Sequence, residues 1–202
     1  MKKLFYFGAL GLVLFEIANV YFVMPMPGSQ RMESLDLAYF LYQNRWVFRG
    51  VFGLLIAAGA LSAWKVSKWP VLLVTVAVAA VLYQFNFEMA AEKMFYQPRD
   101  LRMADTVANK VNLDKLVLGI ELNGQAKAYP IQYIGYHHQV RDSVGGAPVM
   151  ITYCTVCRTG RAYAPLVNGR PETFRLVGMD HFNAMFEDAG TKSWWRQVTG
   201  EA

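Results

Sequence analysis

WVFRGVFGLLIAAGALSAWKVSKWPVLLVTVAVAAVLYQFNF, Trp46 to Phe87, is the stretch that decides the fold. It holds two apolar runs, Trp46–Trp64 and Trp69–Phe87, each close to the ~20 residues that carry a helix across a bilayer. Only Lys65-Val66-Ser67-Lys68 separates them, too little for anything but a turn between antiparallel helices. The expectation is a helical hairpin in lipid.

Toward the amino terminus a third run, Leu4–Met26, follows Met1-Lys2-Lys3. A cleaved leader has a shorter apolar core ending at a small-x-small site, whereas Asn19-Val20-Tyr21-Phe22 follows here, so the run reads as a retained anchor. If all the runs span, Lys2, Lys3, Lys65 and Lys68 fall on one side, which places the amino terminus in the cytoplasm and the carboxy-terminal part outside. Trp46, Trp64 and Trp69 then stand at span ends, where indoles prefer the interface. Between the first two runs, Pro25 to Asn44 opens with helix breakers. Its residues 33–44 carry the spacing of a short amphipathic helix at the outer surface.

Glu16, Asn19 and Arg49, with Gln84 and Asn86, map to the outer half of these spans. A carboxylate at that depth is costly unless paired, and Arg49 is its nearest partner by depth. The plainer reading, polar glue between helices, is favoured over a functional site.

The chain is 54% hydrophobic with a formal charge of +5. Residues 1–87 hold 7 Lys+Arg against 3 Asp+Glu and residues 88–202 hold 13 against 12, so the excess flanks the apolar runs. A nucleic-acid partner is therefore not expected; the lipid bilayer is. The anchor is assigned to residues 1–95 and the outer domain to residues 96–202.

From Leu116 the pattern changes to short β-rich runs punctuated by Asn123-Gly124, Gly145-Gly146 and Asn168-Gly169, each a two-residue hairpin turn. The expected strands are 116–122, 125–129, 139–144, 147–153, 160–167 and 172–177, giving a mostly β, antiparallel domain. A helix or irregular segment is expected from His181 to Trp195, with Trp194 and Trp195 buried against the sheet. No phosphate loop, zinc-protease helix or serine elbow is present, so no nucleotide is expected.

Chemistry concentrates in Cys154-Thr155-Val156-Cys157, at the end of a strand whose alternation puts Met150, Thr152 and Cys154 on one face. Two thiolates, imidazole from His137 or His181 and a thioether from Met150 form a ligand set for copper, with zinc as the alternative. Asp142 and Asp180 are candidates to orient a ligating imidazole. His137 is preferred to His138, since neighbours on a strand face opposite ways. Arg158 follows Cys157 where covalent haem requires histidine, so haem is set aside. An inert disulfide and a dithiol that cycles with a redox partner remain open beside the metal site.

Ala128-Tyr129-Pro130, Tyr136-His137, Val144-Gly145-Gly146, Pro148-Val149, Thr152-Tyr153-Cys154 with Cys157, Ser193-Trp194-Trp195, Gln197 and Gly200-Glu201 occur in that order. Over residues 114–202 this series resembles the domain-of-unknown-function 3179 family, in its form with amino-terminal transmembrane helices. The resemblance implies a bacterial or archaeal extracytoplasmic domain, here periplasmic on the inner membrane, and marks His137, Cys154, Cys157 and Gln197 without supplying a mechanism. Thr155 and His138 depart from the family pattern of Tyr-Cys-Pro-x-Cys and His-Glu. The expected function is a membrane-anchored metal-binding or redox protein, possible roles being copper handling and electron transfer. The alternatives are an accessory subunit of a larger membrane complex and a thiol-disulfide exchange protein.

Overall fold

The computed structural model describes residues 1–98 and 100–202. Contacts divide the chain into two units, Met1–Ala90 and Ala91–Ala202.

The first unit is helical because its sequence offers long apolar runs without an interior proline. Helices α1 (Lys2–Tyr21), α2 (Leu35–Gln43), α3 (Arg45–Val66) and α4 (Lys68–Tyr83) follow in order, and a π turn, Gln84–Glu88, extends the last. Three of these helices are long and apolar enough to cross a membrane. Helix α1 ends five residues before the expected Met26, because Pro25 and Pro27 exclude helical backbone before them. The carbonyls left open there are met by buried side chains: Ser29 Oγ donates to Met24 O at 2.7 Å and Gln30 Nε2 to Phe22 O at 3.3 Å. Pro70 is tolerated because it sits in the first turn of α4, where no backbone donor is needed. Ser67 alone, in extended conformation, separates α3 from α4.

Helices α1 and α3 touch backbone to backbone. A Cβ on Gly59 would come within 2.2 Å of Phe5 N, and one on Gly8 within 2.9 Å of Ile56 N. Small residues at such crossings are how helices approach closely without a hydrophobic driving force. Phe5, Ala63 and Val71 fill the core among α1, α3 and α4.

Higher in the same unit, Glu16 is fully buried and takes both arms of Arg49, Nε at 2.7 Å and Nη2 at 2.9 Å. Asn86 Nδ2 donates to Glu16 Oε2 at 3.0 Å, and Arg49 Nη2 donates to Asn86 Oδ1 at 2.5 Å. The network closes on itself, as structural glue would. Asn19 stands outside it, its buried Oδ1 unpartnered among the described residues.

In the second unit a helical turn, α5 (Ala91–Met94), and a turn-rich stretch precede the strands. Hairpin β1 (Val117–Leu122) to β2 (Gln125–Pro130) leads through helix α6 (Ile131–His137) into the sheet β3 (Gln139–Val144), β4 (Ala147–Cys154), β5 (Thr159–Tyr163). A two-stranded ribbon, β6 (Leu166–Val167) and β7 (Arg170–Pro171), follows. A second sheet of β8 (Phe174–Asp180), β9 (Asn183–Asp188) and β10 (Trp194–Arg196) completes the unit. Every strand pairing is antiparallel. The three glycine turns join β1 to β2, β3 to β4 and β6 to β7, where the turn chemistry required them.

Three expectations are corrected. The strand expected over 160–167 is split, because Pro165 fixes φ and has no N–H for a ladder. His181 to Trp195 is a hairpin and a third strand, not helix or irregular chain. Tyr136 and His137 end a helix instead of lying on a strand, so strand alternation does not choose between His137 and His138.

One face of β3–β4–β5 packs on Tyr129, Ile134, Val140, Val144, Val149 and Ile151. The other carries Gln139, Thr152 and Cys154, which meet the second sheet. Gln139 Nε2 donates to Phe174 O at 3.1 Å and Gln197 Nε2 to Thr152 Oγ1 at 3.0 Å. The cysteines therefore sit at the edge of a buried polar layer between two sheets.

Candidate functional site

Cys154 is the last residue of β4 and pairs with Thr159, so Thr155 to Arg158 form a four-residue hairpin loop with Cys157 inside it. Arg158 closes the loop in left-handed backbone, φ 53°. Both cysteines are free thiols, Cys154 fully buried and Cys157 partly exposed. The backbone N–H of Cys157 lies 3.5 Å from Cys154 Sγ, and that thiol points to Phe182 O at 3.4 Å. Burial, then a hydrogen bond from the Cys154 thiol to the Cys157 side chain, push the Cys154 thiol pKa up, only partly offset by the backbone donors Cys157 and Ala184.

The carbonyl that meets Cys154 comes from an unusual turn. His181 and Phe182 form the two-residue link between β8 and β9, at φ 48° and 62°. Two left-handed residues suit the twist of a hairpin, but the favoured residues there are asparagine and glycine. A phenylalanine in that region is strained, and such strain tends to collect at functional sites. Asp180 holds both neighbours: His181 Nδ1 at 2.8 Å and Arg196 Nε at 2.8 Å. A carboxylate on Nδ1 fixes the ring's orientation.

Behind the loop, Gln197 is buried and spans the two sheets. Its Nε2 donates to Thr152 Oγ1 at 3.0 Å and Thr159 O at 3.1 Å, its backbone N–H bonds Ala184 O at 2.8 Å, and its carbonyl accepts from Tyr163 Oη at 2.7 Å. Helix α6 backs the other side, since a Cβ on Gly135 would stand 3.2 Å from Thr155 Cγ2.

The remaining candidates are dispersed. Met150 shares the Cys154 face and is buried, but four residues down a strand is ~13 Å, beyond shared coordination of one ion. His137 turns its Nδ1 to Tyr96 O. Asp142 supports no imidazole: it takes Lys127 Nζ at 2.9 Å and Tyr129 Oη at 2.8 Å. Burial works to raise its pKa, yet those bonds and Ser143 N–H hold it below the ordinary carboxylate value. Among the described residues no three His, Cys, Asp and Glu side chains are arranged to hold one metal ion.

His138, passed over in favour of His137, is the buried histidine. It caps α6 in left-handed backbone, its ring lies 4.1 Å from that of Phe95, and its carbonyl accepts Tyr153 N–H at 3.0 Å. Burial lowers its pKa, against a hydrogen bond with Gly135. The Phe182 carbonyl, Arg196 and Thr159 were also not singled out. Only the rare His-Phe pair at a hairpin position carried a trace of the first.

The family model described as "Protein of unknown function (DUF3179)" matches residues 97–202, just over half of the chain and starting upstream of the residues on which the resemblance was read. No curated protein and no solved structure matches it.

Proposed function

Because the chain belongs to the DUF3179 family, whose description assigns no activity, we propose a function from the site itself: a membrane-anchored protein that takes a soft cation, copper(I), on Cys154 and Cys157. The observation that carries this reading is the pairing of a fully buried Cys154 with a partly exposed Cys157 in one hairpin loop. Exchange with a partner disulfide wants an exposed thiolate of lowered pKa, and Cys154 has neither property. A bound metal ion instead displaces the thiol protons and neutralises the thiolate charge that burial disfavours. Two sulfurs with no His, Asp or Glu grouped beside them among the described residues suit copper(I) better than tetrahedral zinc. In this reading His181, held by Asp180 and next in the chain to Phe182, whose carbonyl meets Cys154, exchanges with the ion as it enters or leaves.

In this reading the three apolar helices span the bacterial inner membrane. Lys2, Lys3, Lys65 and Lys68 lie inside and residues 91–202 lie in the periplasm. Copper delivery or electron transfer at the outer face follows. The test is chelator competition on the purified full chain in detergent. One copper(I) per chain is expected, lost in Cys154→Ser and Cys157→Ser and kept in His137→Ala. Stoichiometric binding that survives Cys154→Ser would sink the proposal.

A second reading, an accessory subunit, draws on α3. At Gly50 and Gly53 a Cβ would meet nothing within 4 Å, so these small residues face away from the unit. Stoichiometric co-purification with another membrane protein would favour it.

A further inference from the structure

A cavity of about 300 Å3 opens in the second unit, far along β3 from the cysteine loop and independent of the copper reading. Phe95, Phe174 and Leu176 give it apolar walls, Lys93, Arg141 and Arg175 cationic ones, and Gln97 and the carboxylate Glu92 complete the lining. These cations are not equivalent. Arg175 is neutralised by Glu187 at 2.8 Å and by Glu92 at 3.7 Å. Arg141 donates Nη2 to Phe174 O and has no ion pair among the described residues. Although the residue has exposed surface, the protein around its guanidinium lowers its pKa by burial. Exposed Lys93 likewise has no ion pair among the described residues.

A guanidinium held by a backbone carbonyl and partly desolvated, with no carboxylate in ion-pair contact among the described residues, can take a hydrogen-bonded anion. Arginine's planar fork matches carboxylate and phosphate oxygens. The apolar walls beside it suit a short hydrocarbon group. We propose that this cavity binds a small organic oxyanion, a carboxylate or phosphate monoester with an apolar tail. The head group lies on Arg141 and Lys93 and the tail against Phe95, Phe174 and Leu176.

The test is calorimetric titration of the full chain in phosphatidylcholine nanodiscs with hexyl phosphate, hexanoate and inorganic phosphate. A tailed anion is expected to bind at least about tenfold more tightly than inorganic phosphate. Arg141→Gln should weaken it about tenfold and Lys93→Gln about threefold, as loss of a charge-assisted bond implies. Exposed Lys93 carries the test should Arg141→Gln fold poorly. Competition by phosphatidate placed in the disc would support the proposal and assign the anion to lipid; its absence would support it and assign the anion to solution. Equal affinity for inorganic phosphate, or tailed-anion binding unchanged in both variants, overturns it.

Discussion

Burial and the Cys157 hydrogen bond hold the Cys154 thiol protonated at neutral pH, so a metal must displace its proton. Copper affinity should therefore rise with pH, up to about tenfold per unit for each proton released, and chelator competition between pH 6 and 8 will read that slope. For the metal-free chain the sign is opposite. A thiol pKa raised by folding adds stability below the unfolded value of about 8.5 and loses it as pH climbs toward the folded one, which denaturant midpoints at pH 7 and 10 will register. The same burial predicts that iodoacetamide labels Cys157 well before Cys154. The turn beside them offers a sharper residue test. Replacing His181-Phe182 by Asn-Gly relieves two left-handed side chains and should stabilise the second unit by about 1 to 2 kcal/mol in urea unfolding. The Phe182 carbonyl position would survive, so copper binding should too.

At the scale of elements, α1 against α3 is the contact with least tolerance. Gly59→Leu must push Phe5 backbone away, and the helical unit should lose at least about 2 kcal/mol, seen as a lower unfolding temperature in detergent. Glu16→Gln strands the Arg49 charge and should cost about 3 to 5 kcal/mol, while Glu16→Gln with Arg49→Met recovers most of it, as removal of both buried charges allows. Elements differed in how plainly the sequence announced them. Three hairpins were legible because Asn-Gly and Gly-Gly are the residues their φ values demand. The β8–β9 hairpin was not, since His181-Phe182 violates that chemistry, and β9 is buried on both faces and shows no alternation. Helix α6 was missed because it is short and buries Ile134 alone. The C-x-x-C pair was legible as a motif, whereas its companions were not. Phe182 contributes only a backbone carbonyl, which no residue type advertises, and Met150 shares a face with Cys154 without sharing its neighbourhood.

For the whole molecule, the proposed topology makes a direct demand. A membrane-impermeant maleimide added to intact spheroplasts should label Cys157, while a cysteine introduced at Ser67 should label only after lysis; the reverse pattern would invert the orientation. Family and architecture followed from ordered motifs and apolar run lengths, both local in the chain. The site did not, because it is closed by residues far apart in sequence. That separation also has a consequence in time. Gln197 and the Phe182 carbonyl, which seal Cys154 between the sheets, are made after it. At about 5 to 20 residues per second, roughly 2 to 9 s pass between Cys154 and Gln197. For that interval the nascent Cys154 thiol stands open to oxidants and foreign metals, so at Cys154 newly made chains are more vulnerable than mature ones.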